Sequence, residues 1–203
     1  MFLRSLDRAE ETLIASLMAA ATLVIFVAVV HRFGIGAAAD LSAWARAHDL
    51  PWLFGFARSL FKAFQSVNLT WAQELCIYLF VWMAKFGAAY GVRTGIHVGV
   101  DVLVNRLPEG QRRVCILFGL LAGAFFTVIV GSLGATFVWE MAHTDQISAD
   151  LELPMWLVYL AVPAGSYLMC FRFLQVAWRF AHGVALPHHD YGHVEGLEKE
   201  AHP

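Results

Sequence analysis

Charge is scarce in this sequence. Aspartate, glutamate, lysine and arginine make up 15% of the chain, against about 25% in a soluble domain, which leaves too little polar surface to face water. Cysteine is scarce as well: Cys76, Cys115 and Cys170 are odd in number, fall in apolar stretches and lack CxxC spacing. They read as small packing residues, and neither a disulfide framework nor a zinc site follows. A Walker sequence, a glycine-rich phosphate loop, GxSxG and HExxH are all missing, so no catalytic constellation or cofactor site is offered. The net charge is −2 and the basic residues are scattered rather than gathered on one face. Nucleic acid is therefore set aside as a partner.

What is present is apolar: 59% of the 203 residues, concentrated in the stretches 12–33, 71–92, 114–139 and 153–171. Each reaches the roughly 20 residues that a helix needs to cross a hydrocarbon core of about 30 Å. The expectation is an all-α integral membrane protein, a single membrane domain over 1–203 with four transmembrane helices and a polar tail at 183–203. Arg4 and Arg8 before the first stretch and Ala37-Ala38-Ala39 after it imitate a signal peptide. The run exceeds an h-region of about 7–15 residues, and Asp7, Glu10 and Glu11 stand in the leader, so an uncleaved first helix is expected.

Between the first two spans, residues 50–67 carry Leu53, Phe56, Ala57, Leu60, Phe64 and Val67 on one helical face and Arg58, Lys62 and Gln65 on the other. That pattern predicts an amphipathic interfacial helix lying against membrane lipid. Packing against a partner subunit fits it equally.

Arginines in the loops set the orientation. Arg93, Arg106, Arg112 and Arg113 follow the second span, whereas Asp145, Asp150 and Glu152 follow the third without a lysine or arginine among them. The former loop is expected in the cytoplasm and the latter in the periplasm, and Arg4, Arg8, Arg172, Arg179 and Lys199 then put both termini inside. Trp71, Trp139 and Trp156 mark periplasmic helix ends. The first loop, with Arg32, Arg46, Arg58 and Lys62, runs against the rule, which weakens with loop length.

Ionisable groups inside a span are costly and persist where used. Glu74 and Lys85 are the clear cases. Glu74 lies one turn inside the second span, where the helix macrodipole favours a carboxylate; it fits a cap or interfacial charge, and equally an intersubunit contact. Lys85 follows Trp71 by 14 residues, roughly 21 Å of helix. Its stem fits snorkelling or an ion pair, with a contact to a second membrane protein or to substrate as alternatives. The third span repeats small residues at every fourth position, Gly119, Gly123, Thr127, Gly131 and Ala135, the pattern of a helix-packing seam. Pro163 is expected to kink the fourth span. No internal repeat is visible, so the inverted-repeat plan of a complete secondary transporter is absent.

The segment Leu69-Thr70-Trp71-Ala72-Gln73-Glu74-Leu75, then Tyr78-Leu79-Phe80-Val81-Trp82, Gly87-Ala88-Ala89, Arg93, Gly95-Ile96-His97-Val98 and Asp101 resembles the small membrane subunit, or Q subunit, of tripartite ATP-independent periplasmic (TRAP) transporters. His31-Arg32-Phe33 and the four-span hydropathy extend the resemblance over nearly the whole chain. It implies a bacterial inner-membrane complex in which a periplasmic solute-binding protein, the P subunit, delivers an organic anion to a large membrane subunit, the M subunit. That subunit would carry the substrate and sodium sites, leaving the small subunit as a non-catalytic scaffold. The interface with the large subunit would then include Trp71, Glu74, Tyr78, Trp82 and Lys85. Gln73 stands where the family often has a second acid, Ile77 where it often has arginine, and Lys85 at a usually apolar position. The first loop and the tail His188-His189-Asp190-Tyr191-Gly192-His193-Val194-Glu195-Gly196 are similar to the C4-dicarboxylate branch.

A second reading is a haem-bearing membrane anchor of a respiratory enzyme. His31 and His143 fall near one face, and His97 and His182 near the other, as in a two-haem bundle. All four sit at or beyond span ends, which favours the transporter subunit.

Overall fold

The structure, a computed structural model, describes residues 2–95 and 108–184, with side chains from residue 5 onward. Its elements are α1 (Phe2–Ala47), α2 (Pro51–Gln65), α3 (Thr70–Thr94), α4 (Glu109–Ala142), the short α5 (Met155–Tyr159) and α6 (Ala161–Ala181). Among the described residues four helical stretches are long and apolar enough to cross a membrane: Ser5–Ala47, Thr70–Thr94, Glu109–Ala142 and Met155–Ala181. His97, Asp101, Arg106 and the tail histidines lie outside the described residues. The chain forms two compact units, residues 1–84 with 138–159, and residues 85–137 with 160–203.

In the first unit α1 runs for 46 residues without interruption, so what reads as a loop after residue 33 is helix. No proline occurs between Phe2 and Leu50, and the run Ala37-Ala38-Ala39 consists of the best helix former. Arg32 and Arg46 belong to α1 and Arg58 and Lys62 to α2, not to a flexible loop. The helix ends in a Schellman-type turn: the Leu50 N–H donates to the Ala45 carbonyl at 3.0 Å, with Asp49 left-handed at φ 50°. Pro51 then starts α2 at a position where its missing N–H costs nothing.

α2 folds back onto α1. Ala38 and Ala45 of α1 and Ala57 of α2 are fully buried, while the Phe64 ring lies over Gly34, where an added Cβ would meet it at 3.0 Å. His31 Nε2 bonds the Phe64 carbonyl at 2.8 Å. The helix expected to lie at the interface thus has part of its apolar face covered by α1, with Trp52, Phe56 and Val67 left exposed.

In the second unit the small residues of α4 receive aromatic rings. A Cβ on Gly123 would meet the Phe173 ring at 2.8 Å, and one on Gly131 the Tyr167 ring at 3.1 Å. The Tyr167 hydroxyl also lies 3.2 Å from Ser132 Oγ. Thr127 is buried, its hydroxyl returned to the Gly123 carbonyl at 2.8 Å, and Ala135 is half-buried. Gly119 is exposed with nothing within 4 Å of its would-be Cβ. The reason is angular: four residues turn a helix by about 400°, so a strict four-residue repeat drifts by roughly 40° per step. The packed stripe corrects for this by passing from Gly131 to the half-buried Gly134, where an added Cβ would meet Val162 at 3.1 Å. Below it Ile116, Leu120, Val176 and Ala177 pack with Leu117, Phe173 and Phe180.

One approach is backbone to backbone. At Gly165 an added Cβ would stand 2.6 Å from the Lys85 Cβ and 3.1 Å from its carbonyl carbon and oxygen, so α6 and the end of α3 touch with no side chain between them. The helical run from Met155 is interrupted at Leu160, just upstream of Pro163, whose missing N–H removes a bond to a carbonyl four residues back.

Gly165→Ala is expected to destabilise the purified protein by about 1–3 kcal/mol, the range for overpacking, and Gly123→Leu by a similar amount. Gly119→Leu should leave the melting temperature in detergent unchanged. Equal melting temperatures for all three variants would show that the contacts at Gly165 and Gly123 do not hold the helices together.

Candidate functional site

The first turn of α3 is built by Asn68. Its Oδ1 accepts the Thr70 N–H at 3.0 Å and the Thr70 hydroxyl at 2.9 Å, satisfying a donor that a helix N-terminus leaves without an internal partner. The Trp71 indole N–H donates to the Asn68 carbonyl at 3.1 Å, which fixes the ring at the helix entrance.

One turn on, the Glu74 carboxylate gathers three consecutive backbone donors from the segment after α4. Oε2 accepts the N–H of Asp150 and of Leu151, each at 2.8 Å, and Oε1 accepts that of Ala149 at 3.2 Å. The Tyr78 hydroxyl donates to Oε1 from one turn further along α3. Three amides converging on one anion form the concave arrangement that binds carboxylates and phosphates, here filled by the chain's own side chain.

The loop that supplies these amides is closed on itself. Ile147 and Pro154 form an antiparallel bridge, Ser148 N–H donates to the Leu153 carbonyl at 2.8 Å, and Met155 N–H to that of Gln146 at 3.0 Å. The buried Ser148 hydroxyl accepts the Leu153 N–H at 3.1 Å, while Glu152 takes a left-handed φ of 52°. Asp145, Asp150 and Glu152, the acidic residues of the loop, remain at the surface.

The sequence-derived residues do not form one cluster. Trp71, Glu74, Tyr78, Trp82 and Lys85 are all half-buried; Glu74 and Tyr78 are joined, and Lys85 belongs to the second unit, against Gly165. The face that α3 turns outward is a different one: Gln73, Ile77, Phe80 and Ala84, at helical spacing, are exposed.

Arg172 corrects the sequence reading. Counted there among the charges beyond the fourth span, it is fully buried inside α6, with Nη1 donating to Gln175 Oε1 at 2.8 Å. Its position was legible in one respect: it falls seven residues after Gly165 and four before Val176, on the helix face that packs inward. Arg113 is helical as well, and its guanidinium reaches the Ala181 carbonyl at the end of α6 at 2.6 Å.

His31 is occupied by the Phe64 carbonyl, while His143 and His182 each bond the carbonyl one turn back and sit beside Trp139 and Trp178. Among the described residues no three histidines, cysteines, aspartates or glutamates gather as a metal site.

If Glu74 holds the loop, Glu74→Ala should speed amide exchange at residues 149–151 selectively. Glu74→Gln, which keeps an acceptor but loses the charge, should give an intermediate rate. Unaltered protection of all three amides in Glu74→Ala would remove this role.

Comparison with known proteins agrees with this architecture. A family profile described as "Tripartite ATP-independent periplasmic transporters, DctQ component" matches residues 52–183. The chain is 62% identical, over 98% of its length and 87% of the relative's, to the C4-dicarboxylate TRAP transporter small permease protein DctQ of Rhodobacter capsulatus. It is 32% identical to the protein of the same name from Pseudomonas aeruginosa, over 85% of this chain and 82% of that one. A more distant match, 25% identical over 52% of this chain, covers 16% of the isethionate TRAP transporter permease protein DctMQ of Oleidesulfovibrio alaskensis. With four helices able to span a membrane and a family match over most of its length, this multi-pass membrane protein belongs to the DctQ component family of the tripartite ATP-independent periplasmic transporters.

Proposed function

We propose that the chain is the non-catalytic scaffold subunit of a sodium-coupled importer of C4-dicarboxylates, working with a large membrane subunit and a periplasmic solute-binding protein. The observation that carries the substrate class is the 62% identity, across nearly the whole chain, to a small permease protein named for C4-dicarboxylates. The scaffold role rests on physical grounds. Moving a dicarboxylate through hydrocarbon requires polar groups and broken helices that meet near the midplane. Of the charges in these helices, Glu74 is engaged by its own loop and Arg172 by Gln175. The partnership is supported by the fused relative DctMQ, of which this chain matches 16%, leaving the remainder for another component.

The arrangement of charge supports a bacterial inner-membrane location with both termini cytoplasmic. Arg93 ends α3 and Arg112 and Arg113 open α4, whereas the loop at the far end of α4 carries Asp145, Asp150 and Glu152.

The large-subunit contact is assigned to α3. Ile77, Phe80 and Ala84 form the stripe that a partner would meet, with Trp71, Trp82 and Lys85 reached at its edges. Glu74 and Tyr78 act behind it by fixing the loop. Ile77→Ala with Phe80→Ala should reduce copurification with the large subunit by about tenfold, as loss of a contact centre does, while the chain's own melting temperature holds. Undiminished copurification would move the interface to another face.

Liposomes containing this chain alone should show no sodium-driven uptake of a C4-dicarboxylate, and addition of the large subunit and the binding protein should produce it. Robust uptake by the chain alone would overturn the scaffold reading.

A further inference from the structure

A crevice of about 440 Å³ opens in the first unit between α1, the turn after α2 and the first turn of α3. Its lining divides by chemistry. On α1, Ile25, Ala28 and Val29 give it an apolar wall, and Arg32, Gln65 and Gln73 give it a rim of hydrogen-bond donors. Among the described residues no aspartate or glutamate lines it.

Arg32 is exposed, and no hydrogen bond or ion pair engages its guanidinium among the described residues. The neighbouring His31 is held in place by the Phe64 carbonyl, and Asn68 is occupied by Thr70. The rim therefore has one positive charge and amide donors to offer, with nothing among the described residues to take them.

Ile25, Val29 and Arg32 stand at helical spacing along one face of α1. The guanidinium sits where the apolar stretch of α1 ends, and Gln73 where that of α3 begins, so the rim lies at the depth of lipid headgroups and the wall descends from it. A donor-rich, acid-free rim above an apolar track complements a molecule with an anionic head and a hydrocarbon tail. An acidic side chain from another protein would use the rim and leave the track empty.

We propose that this crevice binds a phospholipid, with Arg32 as the forked donor to the phosphate, the Gln65 and Gln73 amides around its ester oxygens, and an acyl chain along Val29 and Ile25. Arginine suits this role because its planar guanidinium offers two parallel N–H bonds to phosphate.

The test uses the full chain, delipidated in mild detergent and titrated with dioleoylphosphatidylglycerol under native mass spectrometry. One lipid should bind preferentially, and Arg32→Gln should weaken its binding by about tenfold, the loss of one charge-assisted pair. Gln73→Leu should weaken it less, and Arg58→Gln, an exposed arginine outside the crevice, should not change it. Inorganic phosphate and chain-free glycerophosphoglycerol at the same concentration should fail to displace the lipid. Equal lipid affinity in Arg32→Gln and Gln73→Leu would overturn the site. Displacement by inorganic phosphate would overturn it in favour of a free-anion site. Loss of copurification with the large subunit in Arg32→Gln, with lipid affinity intact, would overturn it in favour of a protein contact.

Discussion

Helices in hydrocarbon gain nothing from hiding apolar surface from one another, because lipid tails are as apolar as leucine. What holds them is dispersion between close surfaces, and closeness requires that something be missing from one of them. Within each compact unit of this protein the missing element is a side chain. Phe64 lies over Gly34 in the first, and Phe173 over Gly123, Tyr167 over Gly131 and the Lys85 backbone against Gly165 in the second. Three of these four contacts place an aromatic ring over a glycine, and one brings the main chains themselves together. The large apolar residues outside these notches, such as Phe118, Phe125 and Leu133 of α4, face outward, as suits a lipid or partner surface.

Glu74 solves a different problem. A loop at the end of a membrane helix carries backbone donors that need partners as they enter a less polar layer. Supplying one carboxylate to the Ala149, Asp150 and Leu151 amides satisfies three at once and ties α3 to the segment after α4. The charge thus works for architecture, while Ile77 and Phe80 on another face of α3 stay exposed.

Local properties were legible in the sequence and pairings were not. The four apolar stretches are visible because hydropathy belongs to each residue by itself, and the apolar face of α2 is visible because periodicity is a short-range property. The length of α1 was hidden because the apolar stretch ends at Phe33, whereas the alanines beyond it carry the helix on. Gly119 looked like the start of the seam because a ladder written in fours ignores that a helix turns in 3.6. The partners of Glu74 could not have been read at all, since backbone N–H groups are common to nearly every residue type and leave no mark in the sequence. Arg172 misled because a charge near the end of an apolar run resembles a boundary, whereas its phase with Gly165 and Val176 says otherwise.

The hairpin of α1 and α2 is pinned at two separated points, by Phe64 at Gly34 and by the Arg46 guanidinium 4.9 Å above the Phe54 ring. Between those points both arms are continuous helix, with no loop in which an extra residue could be stored. A single inserted or deleted residue would therefore slide one arm by about 1.5 Å and rotate it by roughly 100°, turning the Ala38 and Ala45 face away from Ala57. This stretch of chain can change its letters during evolution far more readily than its length, and variation in length should collect at the turn around Asp49, where the two arms meet.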